Sequence, residues 1–334
     1  MPDSFSFFTQ KFFLSYLINQ KNYGKNTLTS YRDTFRLLVK YLRIHAPKKK
    51  QVPLTSVNKD CVLSFLAWLQ SERHNSLTTR NVRLAHMKSF CSFVRELAPE
   101  FAHHCETIMK IPFAKMETRP PAYMTESEVG HLLGSVDTET REGVRHLAIL
   151  TLLYDSGCRV QELIDLKVSD IQFGISRRIY AHGKGDKYRE IAILPETETL
   201  LRKYIEIFKR SPCELLFVNH SGNPLTRQGI RYVLKKYANA VRLNNPQELD
   251  GAVYPHLLRH SKATHLVNHG IHIYNVRDFL GHVSVKTTEI YLTSNPEVTR
   301  KAIEQVSAKT VPDSSDFYTP DEKQGLEEFL DTIM

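Results

Sequence analysis

The sequence predicts a mainly α-helical protein of two domains, with a small antiparallel β-sheet in the second. Three observations predict it. Apolar residues recur at spacings of three and four through much of the chain. A stretch with three prolines and no period, Ile111 to Tyr123, interrupts them. Beyond that break, one segment alternates instead, on either side of Gly183-Lys184-Gly185-Asp186. At 334 residues the chain is long enough for two domains with a sizeable core.

The first domain, residues 1–111, reads as four helices. Phe5, Phe8, Phe12 and Tyr16 form one stripe, and Leu28, Tyr31, Phe35, Leu38 and Leu42 a second. Asn58 can cap a third helix with Val62, Phe65, Leu66 and Leu69 inward, and Thr78 can open a fourth carrying Leu84, Met87, Cys91 and Val94. Residues 112–122 are the linker. Thr125 and Glu128 then have capping-box spacing and open a second domain, 123–311. There, Leu147, Leu150, Leu153 and Tyr154 belong to a helix that ends at Gly157, and Val160, Leu163, Ile164 and Leu166 to a new one. Ile179–Ala181 and 190–194 form a hairpin with Lys184 at its tip. A long basic helix follows from about Arg227 to Arg242, and a further amphipathic helix, Tyr274 to Leu280, delivers His282 just past Gly281. Residues 312–334 form an acidic tail.

Composition narrows the function. No apolar run is long enough to cross a bilayer, and no basic-then-apolar N-terminal signal is present, so a cytoplasmic protein is expected. Five scattered cysteines without a C-x-x-C pair suggest neither a disulfide framework nor a cysteine zinc site. The net charge of +9 is unevenly spread: residues 1–111 hold 17 Lys and Arg against 7 Asp and Glu, whereas 312–334 hold one lysine against seven acids. A basic N-terminal unit suggests a polyanion partner, most simply nucleic acid. Candidate phosphate contacts are Arg32, Arg36, Arg43, Arg80, Arg83 and Lys88 on the outward positions, with Lys48, Lys49 and Lys50 in a loop; a solvated face is the alternative.

Several polar residues of the second domain carry chemistry. Arg159 opens a helix, where a cation opposes the dipole unless an anion joins it. His256, Arg259 and His260 crowd one segment. His256 and His260, like His265 and His269, share a helix face at i, i+4, which is also a zinc spacing, but the glutamate of H-E-x-x-H is missing and no cysteine or carboxylate sits nearby in sequence. A phosphate cradle fits better, and no metal or other cofactor is expected.

Ser156-Gly157-Cys158-Arg159 with Glu162, Gly183-Lys184-Gly185, His256-x-x-Arg259-His260 and Leu280-Gly281-His282, with Tyr291 nine residues on, together resemble the tyrosine recombinase family of phage-integrase and Xer-like enzymes. The resemblance covers nearly the whole chain. It implies a helical core-binding (SAM-like) domain and a catalytic domain closing as a C-shaped clamp on double-stranded DNA. It also implies site-specific DNA recombination through a covalent 3′-phosphotyrosyl intermediate, for integration, excision or resolution. Leu257 and Ser261 depart from the pattern, where relatives often carry an acid and a threonine, but neither is a reacting group.

The chemistry accounts for the residue types. Breaking a phosphodiester without metal needs a nucleophile, a way to take its proton, donors for the extra charge at phosphorus, and an acid for the leaving oxygen. Tyrosine serves as nucleophile, and its phosphotyrosyl ester keeps the bond energy for religation. Arg159 and Arg259 can bind nonbridging oxygens with forked hydrogen bonds that lysine does not reproduce. By the resemblance, His256 assists proton removal from Tyr291, Lys184 protonates the 5′ oxygen and His282 binds the phosphate. Glu162 buttresses an arginine or histidine, and His260 is a packed core histidine or a supporting partner.

The resemblance also implies a homo-tetramer on two DNA sites, or a hetero-tetramer with a second recombinase. Leu326, Phe329, Leu330 and Ile333 give the tail one apolar face, for a neighbouring protomer or for its own domain. Type IB topoisomerase-like relaxation and non-catalytic DNA binding are the rival functions.

Overall fold

A computed structural model describes residues 4–45, 52–116, 121–183, 188–282, 284–294, 300 and 320–333. The chain divides into two compact units, Met1–Thr118 and Arg119–Met334.

The N-terminal unit is built from α1 (Phe5–Lys11), a π-helical continuation Phe12–Gln20, α2 (Lys25–His45), α3 (Lys59–Ser71), α4 (Leu77–Leu97) and α5 (Ala102–Met109). Its core is aromatic. Phe12, fully buried, has its ring near those of Tyr31, Phe35, Phe90 and Phe93. The π register explains how Phe12 and Leu17 are both fully buried: the wider turn brings residues five apart onto one face, and Lys21 N donates to Tyr16 O at 2.8 Å. The expected stripe therefore shifts from Tyr16 to Leu17. Asn58 caps α3 through Cys61 N, as its spacing predicts. Helix α4 is capped by Ser76 rather than Thr78, because Ser76 holds the extended backbone that a cap needs and accepts from Thr79 N. Helix α5, absent from the four-helix expectation, buries only Cys105 and Ile108, too few apolar residues to set a period.

In the second unit a capping box at Thr125 and Glu128 opens α6 (Glu126–Gly134). Helix α7 (Arg141–Ser156) packs on α9 (Pro195–Phe208) and α11 (Pro255–Asn268), with α10 (Arg227–Asn244) and α12 (Ile273–Leu280) completing the helical layer. Between α8 (Val160–Asp165) and α9 lies an antiparallel sheet of β1 (Ile171–Gln172), β2 (Arg178–His182) and β3 (Tyr188–Ala192), in the order β1-β2-β3. The pairs Ile171–Ile179 and Ile179–Ile191 bury the isoleucines on one face. The hairpin follows from alternation, but β1 has two residues and none to show.

Two turns position the site. Gly157 ends α7 with φ 53°, which aims the next residues into α8. Gly281 ends α12 with φ 63°, and His282 N closes back on Arg277 O at 3.0 Å. A methyl group on Gly157 would lie 2.8 Å from Phe279 Cε1. Gly157→Ala therefore combines a left-handed backbone penalty of about 1–2 kcal/mol with a clash. Denaturant melts should show at least that loss of stability in the second unit.

Candidate active site

Helix α8 begins at Arg159, its N-cap residue. The dipole problem of a cation at this position is met from within the turn: Glu162 Oε2 accepts from Arg159 N at 2.7 Å, and Oε1 from Arg159 Nη1 at 2.7 Å. Glu162 is buried, and on its other side Arg189 of β3 donates Nη1 and Nη2 to the same carboxylate at 3.0 and 2.9 Å. Burial pushes the Glu162 carboxyl up, but Arg189 and the hydrogen bonds from both arginines outweigh it and hold the pKa below the ordinary carboxylate value.

Arg259 rises from the first turns of α11 and is 3% exposed. It donates Nη1 to Gly157 O and Nη2 to Leu280 O at 2.5 Å, two carbonyls at helix C-terminal ends that lack intrahelical partners. Arg159 Nη2 reaches Gly281 O at 3.4 Å. Two guanidinium groups are thus drawn to consecutive carbonyls of one turn. Burial, then the charges of Arg159 and Arg189, lowers the Arg259 pKa to about 10. Three guanidiniums face one carboxylate, an excess of positive charge that an anion would neutralise.

The histidines respond to that field. The His282 pKa falls to about 4 through burial and then the charges of Arg259, Arg159 and Arg189, and its Nδ1 lies 3.0 Å from Thr288 Oγ1. His256 is exposed at its outer edge. Partial desolvation, Arg259, Arg159 and Arg227 lower its pKa. Tyr291 sits in a 3-10 turn, Glu289–Ser294, 1% exposed among Ala263, Val267, Val276 and Leu280. A second 3-10 turn, Val285–Thr287, precedes it. The Tyr291 hydroxyl lies 2.6 Å from His260 Nδ1, not from the expected His256, because the packed turn faces the inner side of α11.

Arg159, Glu162, His256, Arg259, His260, His282 and Tyr291 therefore converge on one region, while Lys184 lies outside the described residues. Arg189 was not anticipated. Period-2 alternation carries the signal, since Arg189 shares a strand face with the buried Ile191 and a charge there needs a partner. In the N-terminal unit, Arg32, Arg36 and Arg43 are exposed and line, with Lys40 and Arg73, an open concavity of 980 Å³. Arg83 departs from its expected outward role: it is half-buried and donates to Ser30 O and Thr34 Oγ1 at 3.1 and 2.8 Å. Arg80 bonds Asn81, and the Lys88 ammonium lies over the Phe113 ring at 4.5 Å. Lys48, Lys49 and Lys50 lie outside the described residues.

Comparison with known proteins identifies this arrangement. Residues 122–297 match the phage integrase family, and residues 11–96 the phage integrase N-terminal SAM-like domain. A putative integrase/recombinase, y4rC, of Sinorhizobium fredii is 30% identical over 97% of this chain and 97% of its own length. The chain belongs to the tyrosine recombinase family. Another relative, tyrosine recombinase XerC of Roseiflexus castenholzii, is 32% identical over 85% of this chain and 88% of its own. Among solved structures, the Tn1549 transposon integrase in complex with transposon right end DNA has a TM-score of 0.70 at 17% identity, covering 89% of this chain and 99% of that one. The XerH recombinase bound to a palindromic difH substrate gives 0.68 at 21%, covering 85% and 81%; both share the fold. This tyrosine recombinase is a site-specific DNA recombination enzyme. Among its described residues no helix is long and apolar enough to cross a membrane.

The Glu162 pairing has a measurable signature. Removing one partner of a buried ion pair costs roughly 3 kcal/mol, so Glu162→Ala should lose about that much in chemical denaturation at neutral pH. Because the folded Glu162 pKa is depressed, its contribution is present above the unfolded carboxylate value of about 4.3 and is lost as pH falls through the folded value. Glu162→Gln should flatten that part of the acid dependence of stability.

Proposed function

We propose that this recombinase cleaves and rejoins double-stranded DNA with Tyr291 as nucleophile, through a covalent 3′-phosphotyrosyl intermediate and a free 5′ hydroxyl. The observation that carries the reading is the turn after α12: Arg159 and Arg259 both grip its carbonyls, and Tyr291 packs against Leu280 of the same turn. A scissile phosphate bound by the remaining guanidinium N–H groups is then within the domain of the tyrosine. The two arginines take the nonbridging oxygens, whose charge grows as phosphorus becomes five-coordinate. His282 adds a hydrogen bond to the phosphate, His256 closes the exposed side, and Lys184 gives its proton to the departing 5′ oxygen. Glu162 and Arg189 hold Arg159 in place. Transesterification on this set of side chains needs neither metal nor nucleotide.

DNA affinity comes from phosphate contacts to the basic N-terminal unit, with Arg32, Arg36 and Arg43 exposed for the purpose. Lys48, Lys49, Lys50, Arg80 and Lys88 extend the same contacts, whereas Arg83 supports the fold beneath them. Strand exchange between two sites takes place in a tetramer, in the bacterial cytoplasm. The C-terminal helix Pro320–Thr332 supports assembly, since Leu326, Phe329 and Leu330 of this helix and Ile333 after it are all more than two-fifths exposed and suit the surface of another protomer.

Nicked duplexes, selected from a random pool by binding to the protein, trap the covalent adduct. Wild type should accumulate protein–DNA adduct, Tyr291→Phe none, and EDTA should change neither. Equal trapping by wild type and Tyr291→Phe rejects the nucleophile. Arg159→Lys, which keeps the charge but not the fork, should retain DNA binding and lose about 10²–10³-fold in cleavage rate.

A further inference from the structure

The nucleophile's proton has a destination other than His256. Tyr291 Oη lies 2.6 Å from His260 Nδ1, and the His256 ring centre is 6.4 Å from that of His260, one turn back along α11 and facing solvent. We propose that His260 is the catalytic base of the cleavage step, accepting the Tyr291 proton at Nδ1. The inference rests on Tyr291 being the nucleophile. As the Oη–P bond forms, the proton passes from Oη to His260 Nδ1; the P–O5′ bond breaks with its electron pair leaving on O5′, which takes a proton from Lys184. Religation reverses each transfer.

Three features equip His260 for this. Its Nδ1 must be unprotonated to accept, and burial, then the charges of His256 and Arg259, hold its pKa below the usual histidine value. The described titratable groups that bear on it are His256 and Arg259 on its own helix, Tyr291 on the facing turn and His282 beside α12. Second, burial raises the Tyr291 pKa, which makes a proton acceptor necessary, and Arg259 offsets part of that rise, so the phenolate forms beside a cation. Third, two other tyrosine–histidine pairs of the same unit show what a packing bond looks like. Tyr154 meets His265 Nδ1 at 2.8 Å while His265 Nε2 meets Met124 O, and His146 meets Tyr237 at 3.0 Å. The charges on His265 and His146 come from Glu126, Lys262 and His269, and from Arg145, Glu142 and Lys236, not from the site arginines. Only the His260 pair joins a reacting hydroxyl to that field.

His260→Asn puts an amide near the position of Nδ1 that can hydrogen-bond Tyr291 but cannot take its proton. Adduct formation on the nicked duplex should slow about 10²-fold. Wild type should lose rate as pH falls through the lowered His260 pKa, and the variant should lack that step. With sulfur in place of the bridging 5′ oxygen, the leaving group needs no proton: Lys184→Ala should recover and His260→Asn should not. A wild-type rate and pH profile in His260→Asn, or its rescue by sulfur, overturns the proposal. A second measurement needs no change at His260: in Tyr291→Phe, the His260 ring nitrogen resonances and their titration should shift, and unchanged ones overturn the contact. Adduct formation by Tyr291→Phe sinks the nucleophile itself, whereas unimpaired His260→Asn beside inert Tyr291→Phe sinks this inference alone.

Discussion

Arg259 is largely buried, and the carbonyls it bonds organise the second unit. Its guanidinium ties Gly157 O to Leu280 O, the ends of α7 and α12, which are far apart in sequence and have unpaired carbonyls where they stop. A buried cation with only neutral partners is costly, and the helix ends lower that cost because their carbonyls carry the negative end of the dipole. The same tie sets where Arg159 and His282 stand, since each is one or two residues beyond one of the two turns. Glu162 then extends the grip to the sheet through Arg189. Gly281 is part of the constraint: a side chain there would run into Arg189 at 2.9 Å.

The sequence made much of this visible because its clearest features are local. Helix caps at Asn58 and Thr125, the left-handed stop at Gly157 and the pairing of β2 with β3 are each written within a few residues. Other features depend on tertiary contact. The burial of Arg83 is set by Thr34 and Ser30, about fifty residues away, so its helix face gave no sign of it. The π register of Phe12–Gln20 follows from which residue the aromatic core admits, and apolar spacing alone favours the narrower turn. In the site, the family resemblance nominated His256 as the partner of Tyr291. One turn along α11 separates it from His260, and only the packing of the Glu289–Ser294 turn decides between them. Arg189 was legible in principle, as a charge on the inward face of β3.

Charge explains why so many histidines can share this space. Burial first, and then the positive charge of Arg259 and its neighbours, lowers the pKa of His256, His260 and His282. In the proposed reaction a bound phosphate reverses the local sign for the groups that touch it. Its charge and oxygens favour His282 as a donor through Nε2, which requires the Thr288 hydroxyl to donate to Nδ1 and fixes the ring's tautomer.

In the proposed reaction His260 serves the tyrosine hydroxyl, not the phosphate, and does not share that reversal to the same degree. It meets the hydroxyl rather than the phosphate, and its depressed pKa keeps the acceptor lone pair free. A histidine that touched the phosphate directly would have its pKa raised by substrate just when an acceptor was needed. One cationic field can serve both roles, because in the proposed reaction His260 accepts the tyrosine proton at Nδ1 while His282 donates from Nε2 without gaining a proton.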